Sequence, residues 1–180
     1  NARYTTTCAA TIIVPAGAAG TSNSCAIDAV ANTIPGDGGV IASLSLVSGS
    51  GYTAGGATQN VAVNNDDLAT ISVAVSPTSV TEDSGTALVY TFTASVASTS
   101  ATAIAFMPPA ASGRYTTDCT SPISLPAAAT TVTCSVTPLD NDVLDGSATA
   151  TVTLLPSAGI YTVGAPSVAT GTITDEDVGM

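Results

Sequence analysis

The chain has 180 residues, with 13 acidic side chains against two basic ones and a formal net charge of −11. Two cations cannot neutralise a row of phosphates, so nucleic-acid binding and attachment to anionic membranes are excluded. The absence of histidine removes Ser-His-Asp and Cys-His catalysis and the usual zinc sites.

In chain order, the sequence opens on Arg3 to Cys8, RYTTTC, followed by the apolar stretch Ile12-Ile13-Val14-Pro15 and then Cys25. A turn-rich segment, Ala31 to Gly38, leads to an alternating run, a Gly51-Tyr52-Thr53 turn and the polar tripeptide Asn65-Asp66-Asp67. From Leu68 on, Ile71, Val73 and Val75 alternate with small polar residues, and so do Leu88, Tyr90 and Phe92. Glu82-Asp83 lies between these runs. Arg114 to Cys119 then reads RYTTDC, 111 positions after RYTTTC, and is followed by Ile123 to Pro126, Cys134, the acids Asp140, Asp142 and Asp145, an alternating run Ala148 to Leu154, Ile160-Tyr161-Thr162 and Asp175-Glu176-Asp177.

Two copies of one pattern therefore follow each other with a period of about 110 residues, a length typical of one domain. On this reading, residues 68–177 form a complete copy and residues 1–67 correspond to its second half, the missing part matching Leu68 to Ser112. Residues 178–180 stand where a further copy or a linker would begin. Either the chain is a window on a longer tandem array, or the half-domain is completed by strands of a neighbouring subunit, as in donor-strand filaments.

Period-two alternation with threonine on the wet face predicts strands half-buried on one side. Short strands separated by Gly, Pro, Asn and Asp predict an all-β, immunoglobulin-like antiparallel sandwich. With two Phe and five Tyr, its core is expected to be built of Val, Ile, Leu and Ala.

Cys8 and Cys25 are 17 positions apart and Cys119 and Cys134 are 15 apart. These spacings match no compact metal motif, so two local disulfides are expected, and with them an oxidising, extracellular or cell-surface location. No signal-peptide pattern opens the sequence, and no apolar run of about 18 residues is long enough to span a bilayer.

The acids are not spread evenly: all but Asp28, Asp37 and Asp118 lie in four short clusters. Two readings fit. Asp and Asn populate turns by themselves, and carboxylates gathered at one pole of a sandwich hold a hard cation such as Ca²⁺.

The stretch Leu139-Asp140-Asn141-Asp142-Val143-Leu144-Asp145-Gly146, continuing through Thr149-Ala150-Thr151-Val152-Thr153-Leu154, resembles the Calx-β family motif. Val73 to Gly85 and Thr172 to Asp177 look like that family's first and last strands. The resemblance spans 68–177 fully and 1–67 in part. It implies a seven-stranded sandwich, often in tandem, that binds Ca²⁺ where one domain joins the next, with Glu82, Asp140, Asp142, Asp145, Asp175 and Asp177 as ligands. Ser147 and Ala148 stand where the family has further acids, which implies fewer or weaker ions, and the first copy keeps only Asp37 in the corresponding turn.

The function expected from these features is a structural or adhesive repeat of an extracellular stalk or fibre, stiffened by disulfides and Ca²⁺. Its partners are neighbouring copies of the module; no receptor signature is present. The alternative is a self-assembling filament subunit with its incomplete domain completed by a neighbour. A polysaccharide hydrolase built on Asp pairs lacks aromatic sugar platforms, and a cytosolic exchanger module is at odds with disulfides.

Overall fold

Strands form where the alternation places them. The computed structural model describes residues 3–13, 22–56 and 58–178; Val14 and Pro15, named above, and positions 179 and 180 of the segment 178–180 lie outside the described residues. The chain divides into two compact units, Asn1–Thr33 with Gly38–Asn65, and Ile34–Asp37 with Asp66–Met180.

The first unit holds two antiparallel pairs, β1 (Tyr4–Thr6) with β2 (Ile27–Ala29), and β3 (Val40–Leu44) with β4 (Gln59–Val63). Cys8 and Cys25 are joined beyond the β1–β2 pair, their Cα atoms 4.8 Å apart.

In the second unit, eleven strands follow: β5 (Ala69–Ser76), β6 (Ser79–Thr81), β7 (Leu88–Ala94), β8 (Thr102–Ile104), β9 (Phe106–Met107), β10 (Tyr115–Thr117), β11 (Ile123–Leu125), β12 (Thr131–Pro138), β13 (Ala148–Leu154), β14 (Tyr161–Val163) and β15 (Val168–Thr174). One sheet has the order β10-β12-β7-β5-β14 and the other β6-β15-β13-β9, with β8 and β11 forming a separate pair. The helical element among the described residues is one 3-10 turn, Glu82–Ser84, and no helix is long and apolar enough to cross a membrane.

The sandwich is antiparallel except at two edges, where β14 runs parallel to β5 and β15 parallel to β6. Pro77, which has no N–H for a ladder, separates β5 from β6. There the chain passes from β5, which lies between β7 and β14 in one sheet, to β6, the edge strand of the other.

The alternation decides burial. Ile71, Val73, Leu88, Tyr90, Phe92, Ala150 and Val152 are all within 1% of complete burial, and the intervening threonines face out or lie half-buried. The core is more aromatic than the composition led us to expect. Both Phe and three of the five Tyr, namely Tyr90, Tyr115 and Tyr161, are buried here. Phe92 and Phe106 meet at 4.9 Å between ring centroids with a 48° tilt, a favourable aromatic arrangement. The Tyr90 hydroxyl donates to the Ala150 carbonyl at 2.6 Å, tying β7 of one sheet to β13 of the other. Cys119 and Cys134, almost wholly buried, are bonded with Cα atoms 5.0 Å apart.

The two units repeat each other in backbone detail. Tyr4 faces Ala29 as Tyr115 faces Pro138, and Val40 faces Val63 as Ala148 faces Ile173. Val30 N donates to Arg3 O at 3.0 Å, and Leu139 N to Arg114 O at 2.9 Å. Cys8 N and Cys119 N each donate to the threonine hydroxyl two residues back, Thr6 Oγ1 and Thr117 Oγ1, at 3.0 Å in both cases. Arg3 Nη2 donates to Gly38 O, and Arg114 Nη1 to Gly146 O, at 2.8 Å in each case.

Candidate metal centre

Strand register alone brings the acids of the second unit to one pole. In the parallel pairing of β6 and β15, Thr81 lies opposite Thr174, so the next residues, Glu82 and Asp175, leave the two strands side by side. In the antiparallel pairing of β13 and β15, Ala148 lies opposite Ile173, which carries Asp145 and Gly146 back alongside Asp175. The Asp175 Oδ2 accepts both their N–H groups at 2.6 Å, and its Oδ1 accepts Asp177 N at 2.9 Å. These bonds, that from Gly146 foremost, hold the Asp175 carboxyl below the usual carboxylate range. Gly146 meets the requirement because its φ is +76°, a left-handed conformation that side-chain-bearing residues rarely adopt.

Arg114, just before β10, enters this pole as a cation. Its Nη2 and Nε donate to Glu82 Oε2 at 2.7 and 3.2 Å, and its Nη1 pairs with Asp145 Oδ1. The bond to Glu82 raises the guanidinium pKa further above its already high value. Glu82 is 2% exposed. Asn141 Nδ2 approaches the same Oε2 at 3.4 Å. The other oxygen, Glu82 Oε1, is buried without a hydrogen-bond partner, and so is Asp177 Oδ2.

Two sets of acids converge on Glu82. Oxygens of Glu82, Asp175 and Asp177 lie within 4.8 Å of one another, and those of Glu82, Asp140 and Glu176 do so as well. Asp142 and Asp145 fall outside both sets; Asp142 acts on Asp177 through its charge and Asp145 faces Arg114. Burial pushes the Asp177 carboxyl up, helped by the charges of Asp175, Glu82, Asp142 and Asp140, and burial also raises Glu176, helped by Asp83 and Glu82. In both, desolvation and the neighbouring carboxylates act in the same direction.

Glu176 was not among the expected ligands. Extending the strand alternation past Thr174 turns Glu176 away from Asp175 and Asp177, but β15 ends at Thr174 and the alternation ends with it. Asp83, next to Glu82, is occupied by the Thr81 hydroxyl at 2.6 Å. A third grouping, Asp118 with Cys119 and Cys134, has its two sulfurs spent in the disulfide.

The donor set fits a hard divalent cation. It is made of carboxylate oxygens, the ligand type that Ca²⁺ takes, and two buried carboxylate oxygens, Glu82 Oε1 and Asp177 Oδ2, are ones a cation would satisfy. Such an ion would supply positive charge at the pole; Glu82, Asp140, Asp175, Glu176 and Asp177 are the residues able to hold it.

No protein-family model matches the chain, and no curated protein matches it. Solved structures similar to it include CBD12 from CALX1.2 (16% identity, TM-score 0.46, 58% of this chain and 44% of that one) and the apo-form Calx CBD1 domain (18%, 0.43, 59% and 98%). The calcium binding domain CBD12 of CALX1.1 is similar at 15% identity and a TM-score of 0.47, over 58% of this chain and 46% of that one. The chain thus spans less than half the length of the two CBD12 structures.

Proposed function

We propose that this chain is part of a structural or adhesive repeat protein, an extracellular or cell-surface stalk or fibre whose sandwich modules are stiffened by disulfides and by Ca²⁺ bound at the acidic pole. The observation that carries the reading is the pair of buried, unpartnered oxygens, Glu82 Oε1 and Asp177 Oδ2, in a pole where Arg114 meets the charges of Glu82, Asp145 and Asp175 while Asp140, Asp142, Glu176 and Asp177 add to the negative charge. Buried polar atoms are nearly always satisfied, and a divalent cation satisfies both oxygens at once while reducing the repulsion among the rest. The sequence resemblance to the Calx-β motif over Leu139 to Leu154 supports the same assignment.

The remaining features suit a passive, load-bearing role. Each disulfide restrains a segment of the chain in an oxidising environment, the outward faces are rich in threonine and poor in charge, and the repeat of hydrogen bonds between the units is what stacked modules of one kind would show. Neighbouring modules are the partners in this reading.

Thermal unfolding in millimolar Ca²⁺ and in chelator tests the proposal. The midpoint should rise with Ca²⁺ and fall back on chelation in the wild type, and respond much less in Asp177→Asn. Identical midpoints in all conditions would reduce the acids to turn formers. Intact mass with and without reductant, after thiol alkylation of protein from its native source, checks the compartment: alkylation of four cysteines before reduction would contradict it.

A further inference from the structure

The repeat between the units also identifies the strand pairings that the first one lacks among the described residues. In the second unit, β12 pairs with β7 on the side away from β10, β15 with β6, and β13 with β9. The corresponding strands β2, β4 and β3 each have a single strand neighbour among the described residues. The side chains tell the same story. Val152, Leu154 and Tyr161 are 0%, 5% and 3% exposed, whereas their counterparts Leu44, Leu46 and Tyr52 are 44%, 66% and 61% exposed.

What covers those positions in the second unit is visible. Leu154 lies opposite Phe106 in the β13–β9 pair, the Tyr161 hydroxyl bonds Ala105 N and O at 3.0 and 3.1 Å, and Tyr161 is paired with Ala69. All of these partners belong to the stretch Leu68 to Ser112. An open strand edge with apolar side chains on one face is a template for strand addition.

We propose that the open face of the first unit, Leu44, Leu46 and Tyr52 with the edges of β2 and β3, docks a polypeptide segment patterned like Leu68–Ser112, which pairs with those edges and buries the three side chains. The described residues contain one such segment, β5 to β9, and two sets of strands that need it. A second copy of the chain could donate its segment only by uncovering its own core, so exchange between copies leaves as many faces open as before. The occupant is therefore a segment of this pattern that is not already engaged in a sandwich. The inference rests on the repeat between the units and is independent of the metal reading.

The test is the full chain carrying an additional Leu68–Ser112 segment joined ahead of Asn1 by a flexible linker, with hydrogen exchange followed in chelator so that calcium plays no part. Amides of β3 should exchange at least about tenfold more slowly than in the unextended chain, and Leu46→Asp in the extended chain should reverse the gain, while β7 and β12 stay protected in every sample as the control for folding. Unchanged β3 exchange with β7 and β12 protected would overturn the proposal. Protection of β3 in the unextended chain that grows with protein concentration would also overturn it, by assigning the face to a second copy.

Discussion

Arg114 grips Glu82 by one oxygen only: Nη2 and Nε both converge on Oε2, at 2.7 and 3.2 Å, and Oε1 is left buried with no partner. The guanidinium thus serves as a tethered cation for one oxygen of a carboxylate that also groups with Asp175 and Asp177.

Arg114→Met should lower the unfolding midpoint in chelator, because removing one partner of a buried pair leaves an uncompensated charge. Added Ca²⁺ should restore more stability to this variant than to the wild type, since an ion is then the only cation at the pole. Paired melting curves in chelator and in Ca²⁺ check both statements; an unchanged midpoint in chelator would show that Arg114 is not structural.

Gly171 on β15 packs against Leu88 and Tyr90 of β7 in the other sheet. A Cβ there would stand 2.6 Å from Leu88 Cδ1 and 3.1 Å from the Tyr90 hydroxyl, and both neighbours are fully buried. Gly171→Ala should destabilise the second unit by about 1–3 kcal/mol through overpacking, measured by denaturant unfolding. Leu88→Ala combined with it should recover part of the overpacking term, though the added cavity has its own cost.

The disulfides restrain loops of similar size. Cys119→Ser with Cys134→Ser should cost about 3 kcal/mol in the chain-entropy view for a loop near 15 residues. Equilibrium unfolding of the double variant, with protection of β10 amides as a local readout, provides the check.

Alkaline titration should follow the buried tyrosines. Burial raises both Tyr90 and Tyr115 above the ordinary phenol value of 10.0, so the folded state keeps protons that the unfolded state gives up. The stabilisation is fully present below the unfolded pKa and is lost as pH rises through the folded values. Tyr90→Phe should flatten the loss of stability above about pH 10, and equal slopes for variant and wild type would contradict the assignment.

Much of the fold was legible because local patterns encode it. RYTTTC and RYTTDC carry matching local hydrogen bonds in the two units, and the alternation at Ile71, Val73, Leu88, Tyr90 and Phe92 marked the buried face. The parallel pairing of β6 with β15 was not legible: Thr174 Oγ1 bonds Val80 O across 94 positions, and no local pattern specifies a partner so distant. The same pairing is what sets Glu82 beside Asp175, so the acids could be named while their grouping could not. Arg114 was passed over as a ligand-site residue, although a signal existed, since the only two cations of the chain open the two copies of one motif. The aromatic core was missed because composition averages over both units while the buried Phe and Tyr are concentrated in one.

Calorimetric titration of the metal-free protein with Ca²⁺, beside the Asp177→Asn and Glu82→Gln variants, addresses the central claim most directly. The wild type should bind Ca²⁺ with saturable heat, and both variants should bind at least about tenfold more weakly, a loss of about 1.4 kcal/mol. Absence of saturable binding in the wild type, or equal affinity in all three proteins, would contradict it.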